Sequence, residues 1–180
     1  MSDSRRNFLI KSFGASGAAW MTANWPTQVA AAEKAQSLGN FTYFTREQAA
    51  DVDAMAAQIY PSDSTPGAKE AQVIYFIDLA LVTFAQDKQD IYAKGLADLS
   101  AKTGGKRFGS LSSSDQIALL TSIETTPFFK TVRDHTIMGM FAAPQHGGNY
   151  KKVGWTQIGY DDSLNFRAPF GAYDKAEGTW

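Results

Sequence analysis

Few side chains in this 180-residue chain are of types that do chemistry, and their spacing limits what they can do. His135 follows Arg133 and Asp134, and His146 opens the run Gly147-Gly148-Asn149. Either imidazole can share a metal ion with a carboxylate. Their spacing fits no zinc motif, however, and a third strong ligand is missing. The serines from Ser110 to Ser114 offer hydroxyls, but none sits on a Gly-x-Ser-x-Gly turn, so they read better as a helix cap than as a nucleophile. No glycine run follows a strand and opens a helix, which argues against a nucleotide cradle. The chain has no cysteine. That removes thiolate metal sites, iron–sulfur ligation, disulfides and a cysteine nucleophile together.

Asp78 stands out because it interrupts the most apolar stretch, with Val73, Ile74, Phe76, Ile77, Leu79, Leu81, Val82 and Phe84 around it. A buried carboxylate is costly without partners. It either faces a sliver of solvent or is paired, and Arg133 or His135 is the expected partner. The glycine run has two readings as well. It is a plain chain reversal, or it brings backbone close to another surface with His146 or Asn149 as hydrogen-bonding handles.

The elements that must position these residues are helical. Thr45 and Gln48 form a capping-box pattern, and Ala49, Val52, Met55, Ala56 and Ile59 continue it at helical spacing up to Tyr60-Pro61. Pro61, Asp63, Pro66 and Gly67 mark a turn-dense loop. A second, central helix is expected from about 68 to 86. A third runs from 87 to about 103, with Tyr92, Leu96 and Leu99 inward, and stops at Gly104-Gly105. Ser112 starts a fourth, carrying Ile117, Leu120 and Ile123. Thr126-Pro127 starts a fifth, with a stripe of Phe128, Phe129, Val132, Thr136, Met140 and Phe141. The fold class is therefore all-α: a compact bundle of about five helices. From about residue 142, beyond which come Pro144 and the glycine run, an irregular arm rich in glycine and aromatics is expected, with Tyr150, Trp155, Tyr160, Phe166, Phe170, Tyr173 and Trp180. So small a body cannot bury all of these rings, and exposed aromatic surface points to an interface.

The N-terminus has a different character. Ser4-Arg5-Arg6-Asn7-Phe8-Leu9 precedes a short, soft apolar run, and Ala30-Ala31-Ala32 follows. The bland reading is an ordinary basic tail. The pattern resembles a twin-arginine (Tat) export signal, carried by Ser4, Arg5, Arg6, Phe8 and Leu9, with Ile10 in place of the usual lysine and Lys11 one position later. Residues 1–32 are then the signal, 33–44 a linker, and 45–180 the helical domain. Cleavage near Ala32 and a periplasmic location are expected. Asp3, Arg5, Arg6 and Lys11 net +2, so the whole-chain charge of −1 leaves −3 for the remainder. A slightly acidic body without a basic stripe argues against nucleic acid, and no second hydrophobic segment can span a membrane.

Several pieces recur together in order: Tyr60-Pro61-Ser62-Asp63 with Pro66-Gly67-Ala68, then Phe76-Ile77-Asp78, then Arg133-Asp134-His135-Thr136 with Gly139 and Phe141. Pro144 with Gly147-Gly148-Asn149 follows, and then Gly154-Trp155 with Ile158-Gly159-Tyr160. Across about 44–160 this resembles the gluconate 2-dehydrogenase subunit 3 family, the small (gamma) subunits of FAD-dependent dehydrogenases of gluconate, sugars or sugar alcohols. The resemblance implies a chain with no catalytic, cofactor or metal site of its own. It implies a large flavoprotein partner of the glucose–methanol–choline type that carries FAD, and a multihaem cytochrome c subunit carrying haem c. It also implies that the small chain supports folding of the flavoprotein and lends it passage through the Tat translocase, to a complex associated with the inner membrane. The residues carrying the resemblance would be structural or partner contacts. Two alternatives stay open: a free-standing periplasmic helical binding module, or a small independent enzyme using His135 and His146.

Overall fold

The computed structural model describes residues 40–160. Among them there are six α-helices and four short 3₁₀ segments. The twin-arginine motif, the expected cleavage site and the aromatics Phe166, Phe170, Tyr173 and Trp180 lie outside the described residues.

Helix α1 (Arg46–Ile59) begins as its sequence demands. The Gln48 backbone N–H donates to Thr45 Oγ1 at 3.2 Å, and the Thr45 N–H donates to Gln48 Oε1 at 3.0 Å. Ala49, Val52, Met55 and Ala56 are buried, and Tyr60 leaves the helical region just before Pro61. In the loop that follows, Asp63 accepts from the backbone N–H of Thr65 at 2.8 Å and from its hydroxyl at 3.0 Å. Gly67 is buried where a Cβ would strike the backbone of Tyr60, Pro61 and Ser62. This loop needs its glycine for space.

Helix α2 (Val73–Val82) is the central element and packs against both α1 and α5. It is shorter at both ends than the expected 68–86. At its start the Ala71 carbonyl, which would accept from Tyr75 in a continuous helix, accepts instead from the Tyr150 N–H at 3.0 Å. Gln72 turns left-handed with φ 53°. At its end Thr83 breaks the helix, so Phe84 is 53 % exposed and does not face the core.

Helix α3 (Gln89–Lys102) follows a 3₁₀ turn, with Tyr92, Gly95 and Leu99 buried and Leu96 half-buried. Gly104 and Gly105, with φ of 63° and 80°, end it. Helix α4 (Ser113–Ile123) is capped by Ser112, whose Oγ accepts from the Asp115 N–H. Leu120 and Ile123 are buried, but Ile117 points outward. Helix α5 (Pro127–Phe141) starts with Thr126 as cap and proline at the first position, and buries Phe128, Val132, His135, Thr136, Gly139 and Met140. Gly95 is buried where a Cβ would occupy the Phe128 ring, so α3 and α5 meet at that point.

Regular structure continues past Pro144, where an irregular arm was expected. Two 3₁₀ segments, Pro144–His146 and Tyr150–Lys152, lead into helix α6 (Val153–Gln157). The described helices include none long and apolar enough to cross a membrane.

Candidate partner-facing site

The residues singled out by sequence fall into three places. The first surrounds Asp78. Its carboxylate is buried, and it accepts from three successive backbone N–H groups: Thr42 at 2.7 Å, and Tyr43 and Phe44 at 2.9 Å. The expected pairing with Arg133 or His135 is not formed. Arg133 is exposed and pairs with its neighbour Asp134 at 3.0 Å, an arrangement that contributes little. Three charge-assisted hydrogen bonds satisfy a buried carboxylate without a cation. They also fix residues 42–44 onto the body. Phe44 is buried against Tyr92, and Phe41 stacks on Tyr75 with ring centroids 5.1 Å apart.

The second place is His135. Its Nδ1 shares a hydrogen bond with the buried Tyr92 hydroxyl at 3.1 Å, and the two rings stack. Burial pushes the Tyr92 hydroxyl up and holds His135 below the usual imidazole range. The Asp134 and Asp87 carboxylates oppose the shift on His135 without overcoming burial. This is a satisfied core histidine. Sequence reading missed Tyr92 as its partner, because a tyrosine at an inward helical position signals only packing.

The third place holds the remaining predicted residues, and it is built over the C-terminal end of α5. Helix ends leave carbonyls without intrahelical partners. Here side chains from 149 and 155 cover them. Asn149 Nδ2 donates to the Ala142 carbonyl at 2.9 Å, and its Oδ1 accepts from the Gly154 N–H at 2.8 Å. The Trp155 indole N–H donates to the Phe141 carbonyl at 2.7 Å. Gly148 and Gly154 are buried against the carbonyls of Gly139 and Met140, where a Cβ would fall inside the oxygen's contact radius. Gly147 takes φ 95° beside the backbone of Tyr75 and Phe76. The glycine run thus brings its backbone close to α2 and α5 of the same chain. Pro144 opens the 3₁₀ turn that starts the cap, and His146 ends it, with burial lowering its pKa.

The cap is strained. Asn149, Lys151 and Lys152 have φ of 49°, 53° and 60°. A non-glycine residue in this region costs on the order of 1–3 kcal/mol, least for asparagine. The hydrogen bonds of Asn149 and the packing of the two glycines hold it in place. The side chains it presents outward are basic and aromatic. Lys151 lies over the Tyr150 ring at 5.3 Å, Lys152 over Trp155 at 6.0 Å, and Trp155 meets Tyr160 edge-on at 4.9 Å. Tyr60 ties the proline loop to the cap: its hydroxyl donates to Gln157 Oε1 at 2.8 Å, while Gln157 Nε2 donates to the Pro66 carbonyl. So Pro66, Trp155 and the glycine run, far apart in sequence, form one structural unit. Lysine strain at 151 and 152 had no sequence signal.

Among the described residues no group of three His, Asp or Glu side chains stands close enough to hold a metal ion. A cleft of about 460 Å³ beside α1 brings Asp51, Asp53, Lys69, Arg107 and Gln116 together. Asp51 is engaged there by Arg107 Nε at 3.2 Å. Burial raises the pKa of Asp53, with Lys69 opposing.

A family model described as Gluconate 2-dehydrogenase subunit 3 matches residues 46–162. No curated protein and no solved structure gives a significant match.

Proposed function

The chain belongs to the gluconate 2-dehydrogenase subunit 3 family, and from that premise we propose that it is a non-catalytic small subunit of a periplasmic FAD-dependent dehydrogenase. The family is that of a dehydrogenase subunit, which makes the chain a member of an oxidoreductase complex with partner subunits. Our finer reading is that the partner is a flavoprotein of the glucose–methanol–choline type oxidising gluconate, a sugar or a sugar alcohol, accompanied by a multihaem cytochrome c. The small chain holds the flavoprotein during folding and supplies the Tat signal, Ser4 to Leu9, that carries the pair to the periplasm. FAD and haem c then belong to the partners, and the complex sits at the inner membrane.

The family match over 46–162 carries this reading. Two physical observations support it. The two histidines do not converge on a shared centre: His135 is spent on Tyr92 in the core, while His146 belongs to the cap over α5. The cap over α5 carries basic and aromatic side chains, with Lys151 over Tyr150 and Lys152 over Trp155.

Deleting residues 1–32 tests the export role. The expected result is active flavoprotein retained in the cytoplasm, assayed by dye-linked dehydrogenase activity in separated periplasmic and cytoplasmic fractions. Full periplasmic activity from that strain would overturn it.

A further inference from the structure

The left-handed backbone of this chain is gathered at one place. Among the described residues, four other than glycine have φ in that region: Gln72, Asn149, Lys151 and Lys152. All four lie within two residues of a single hydrogen bond, from the Tyr150 N–H to the Ala71 carbonyl at 3.0 Å. Gln72 follows the acceptor, and the other three flank or follow the donor. Strain of this kind persists only where the surrounding structure enforces it, and it gathers at switch regions and clamps. Gly147 makes a second contact with the start of α2, since a Cβ there would press on the backbone of Tyr75 and Phe76.

The residues before α2 show what this hydrogen bond prevents. Residues 67–71 already form a helical turn. The Ala71 N–H donates to the Gly67 carbonyl, four residues back, at 3.0 Å, and the Gly67 N–H donates to Glu70 Oε2 at 2.8 Å, as at a helix start. Only Gln72 separates this turn from Val73–Val82. Ala68, Lys69, Glu70, Ala71 and Gln72 are all good helix formers, so their types favour one continuous helix. Turning Gln72 to the right-handed region would give the Ala71 carbonyl to the Tyr75 N–H, its ordinary helical donor. That N–H now reaches the Gln72 carbonyl at 3.1 Å. Two arrangements compete for one carbonyl.

We infer that residues 147–157 are a strap across the start of α2 that opens as a unit, and that its opening is coupled to the turn of Gln72 that joins 67–71 to α2 as one helix. Closing interrupts the longer helix and strains four residues. The hydrogen bonds from Asn149 and Trp155 to the end of α5 offset that cost. Opening restores the helical bond, relaxes the backbone and uncovers the Phe141 and Ala142 carbonyls. It also releases the proline loop, because Gln157 holds both Tyr60 and the Pro66 carbonyl. Any partner that binds one form only shifts the balance between them. The device belongs to the fold and does not depend on the subunit reading above.

Amide hydrogen exchange of the full chain, resolved residue by residue by NMR, tests this. The Tyr150 and Gly154 N–H groups should exchange through a common opening, more frequent than that of the Ile77 N–H in the middle of α2. Gln72→Gly suits the left-handed closed form, whereas Gln72→Ala suits the helix. Both remove the Gln72 amide, so comparing them isolates the backbone. The strap is expected to open about ten-fold more often in Gln72→Ala than in Gln72→Gly, measured relative to Ile77 in each variant. Lys151→Gly relaxes the other side of the hydrogen bond at the loss of an exposed side chain, and it should open less often than wild type. Equal opening in the two residue-72 variants overturns the coupling. Tyr150 and Gly154 amides that exchange no faster than Ile77 overturn the separate opening of the strap. Opening in Lys151→Gly at or above the wild-type frequency overturns the role of strain.

Discussion

The backbone N–H of Phe44 donates to Asp78 Oδ1 at 2.9 Å, joining the chain that enters the body to the middle of its most buried helix. Thr42 and Tyr43 use the same carboxylate, so a single side chain on α2 organises the entry segment.

Asp78→Asn should expose how much this junction contributes. An amide offers one acceptor oxygen and turns a donor group toward other donors. Hydrogen bonds to a charged acceptor are each worth about 1.5–3 kcal/mol, and part of that is lost at every amide. The expected destabilisation is about 2–4 kcal/mol by urea unfolding, with faster hydrogen exchange at residues 42–44. Unchanged exchange there would show that ring packing, not the carboxylate, fixes the segment.

The cap over α5 predicts an order among substitutions. Asn149→Ala removes two hydrogen bonds from a fully buried side chain and leaves a β-carbon at φ 49°, for a loss of about 3 kcal/mol. Asn149→Gly loses the same bonds but fits the left-handed backbone, so it should be less damaging by about 1 kcal/mol. Gly148→Ala presses a methyl into the Gly139 carbonyl and should be at least as severe as Asn149→Ala. Melting temperatures of the three variants check the order. If Asn149→Gly were the worst, backbone strain would not be what the asparagine is there to tolerate.

Stability should fall below neutral pH. Burial lowers the pKa of both His135 and His146 in the folded chain. The unfolded chain takes up protons at an ordinary imidazole value near about 6.5, so just below that pH it binds more of them than the folded state does. The contribution is complete above that pH and is lost as pH drops toward the lowered folded values. The melting temperature should therefore decrease from pH 7.5 to about 5.5. His135→Gln, which keeps an acceptor for Tyr92, should show a shallower decrease. A slope identical to wild type would assign the effect to other groups.

Local signals were legible in the sequence. The Thr45/Gln48 box, Ser112 and Thr126-Pro127 each cap a helix as their residue types require, and Pro61 ends α1 where its ring forbids continuation. Long-range partners were not. Asp78 pairs with backbone amides 34 to 36 residues away, and backbone donors are the same whatever residue carries them. The shortened start of α2 has the same origin, since the Tyr150 N–H diverts the Ala71 carbonyl from about half the chain away. Helix α6 is five residues long with a glycine inside it, too short for periodicity to declare. The glycine run was recognised as special. That its asparagine caps a neighbouring helix depends on where α5 ends in space.

The Asp78 junction also determines where a mechanical load would enter the molecule. Tension applied through the chain preceding residue 42 reaches three hydrogen bonds on α2 before it reaches the first turn of α1. Because those bonds converge on one buried carboxylate, they must be broken in turn, from Thr42 to Phe44, before the load passes beyond α2. The capping box of α1, held by two exposed hydrogen bonds, is thereby shielded from peeling.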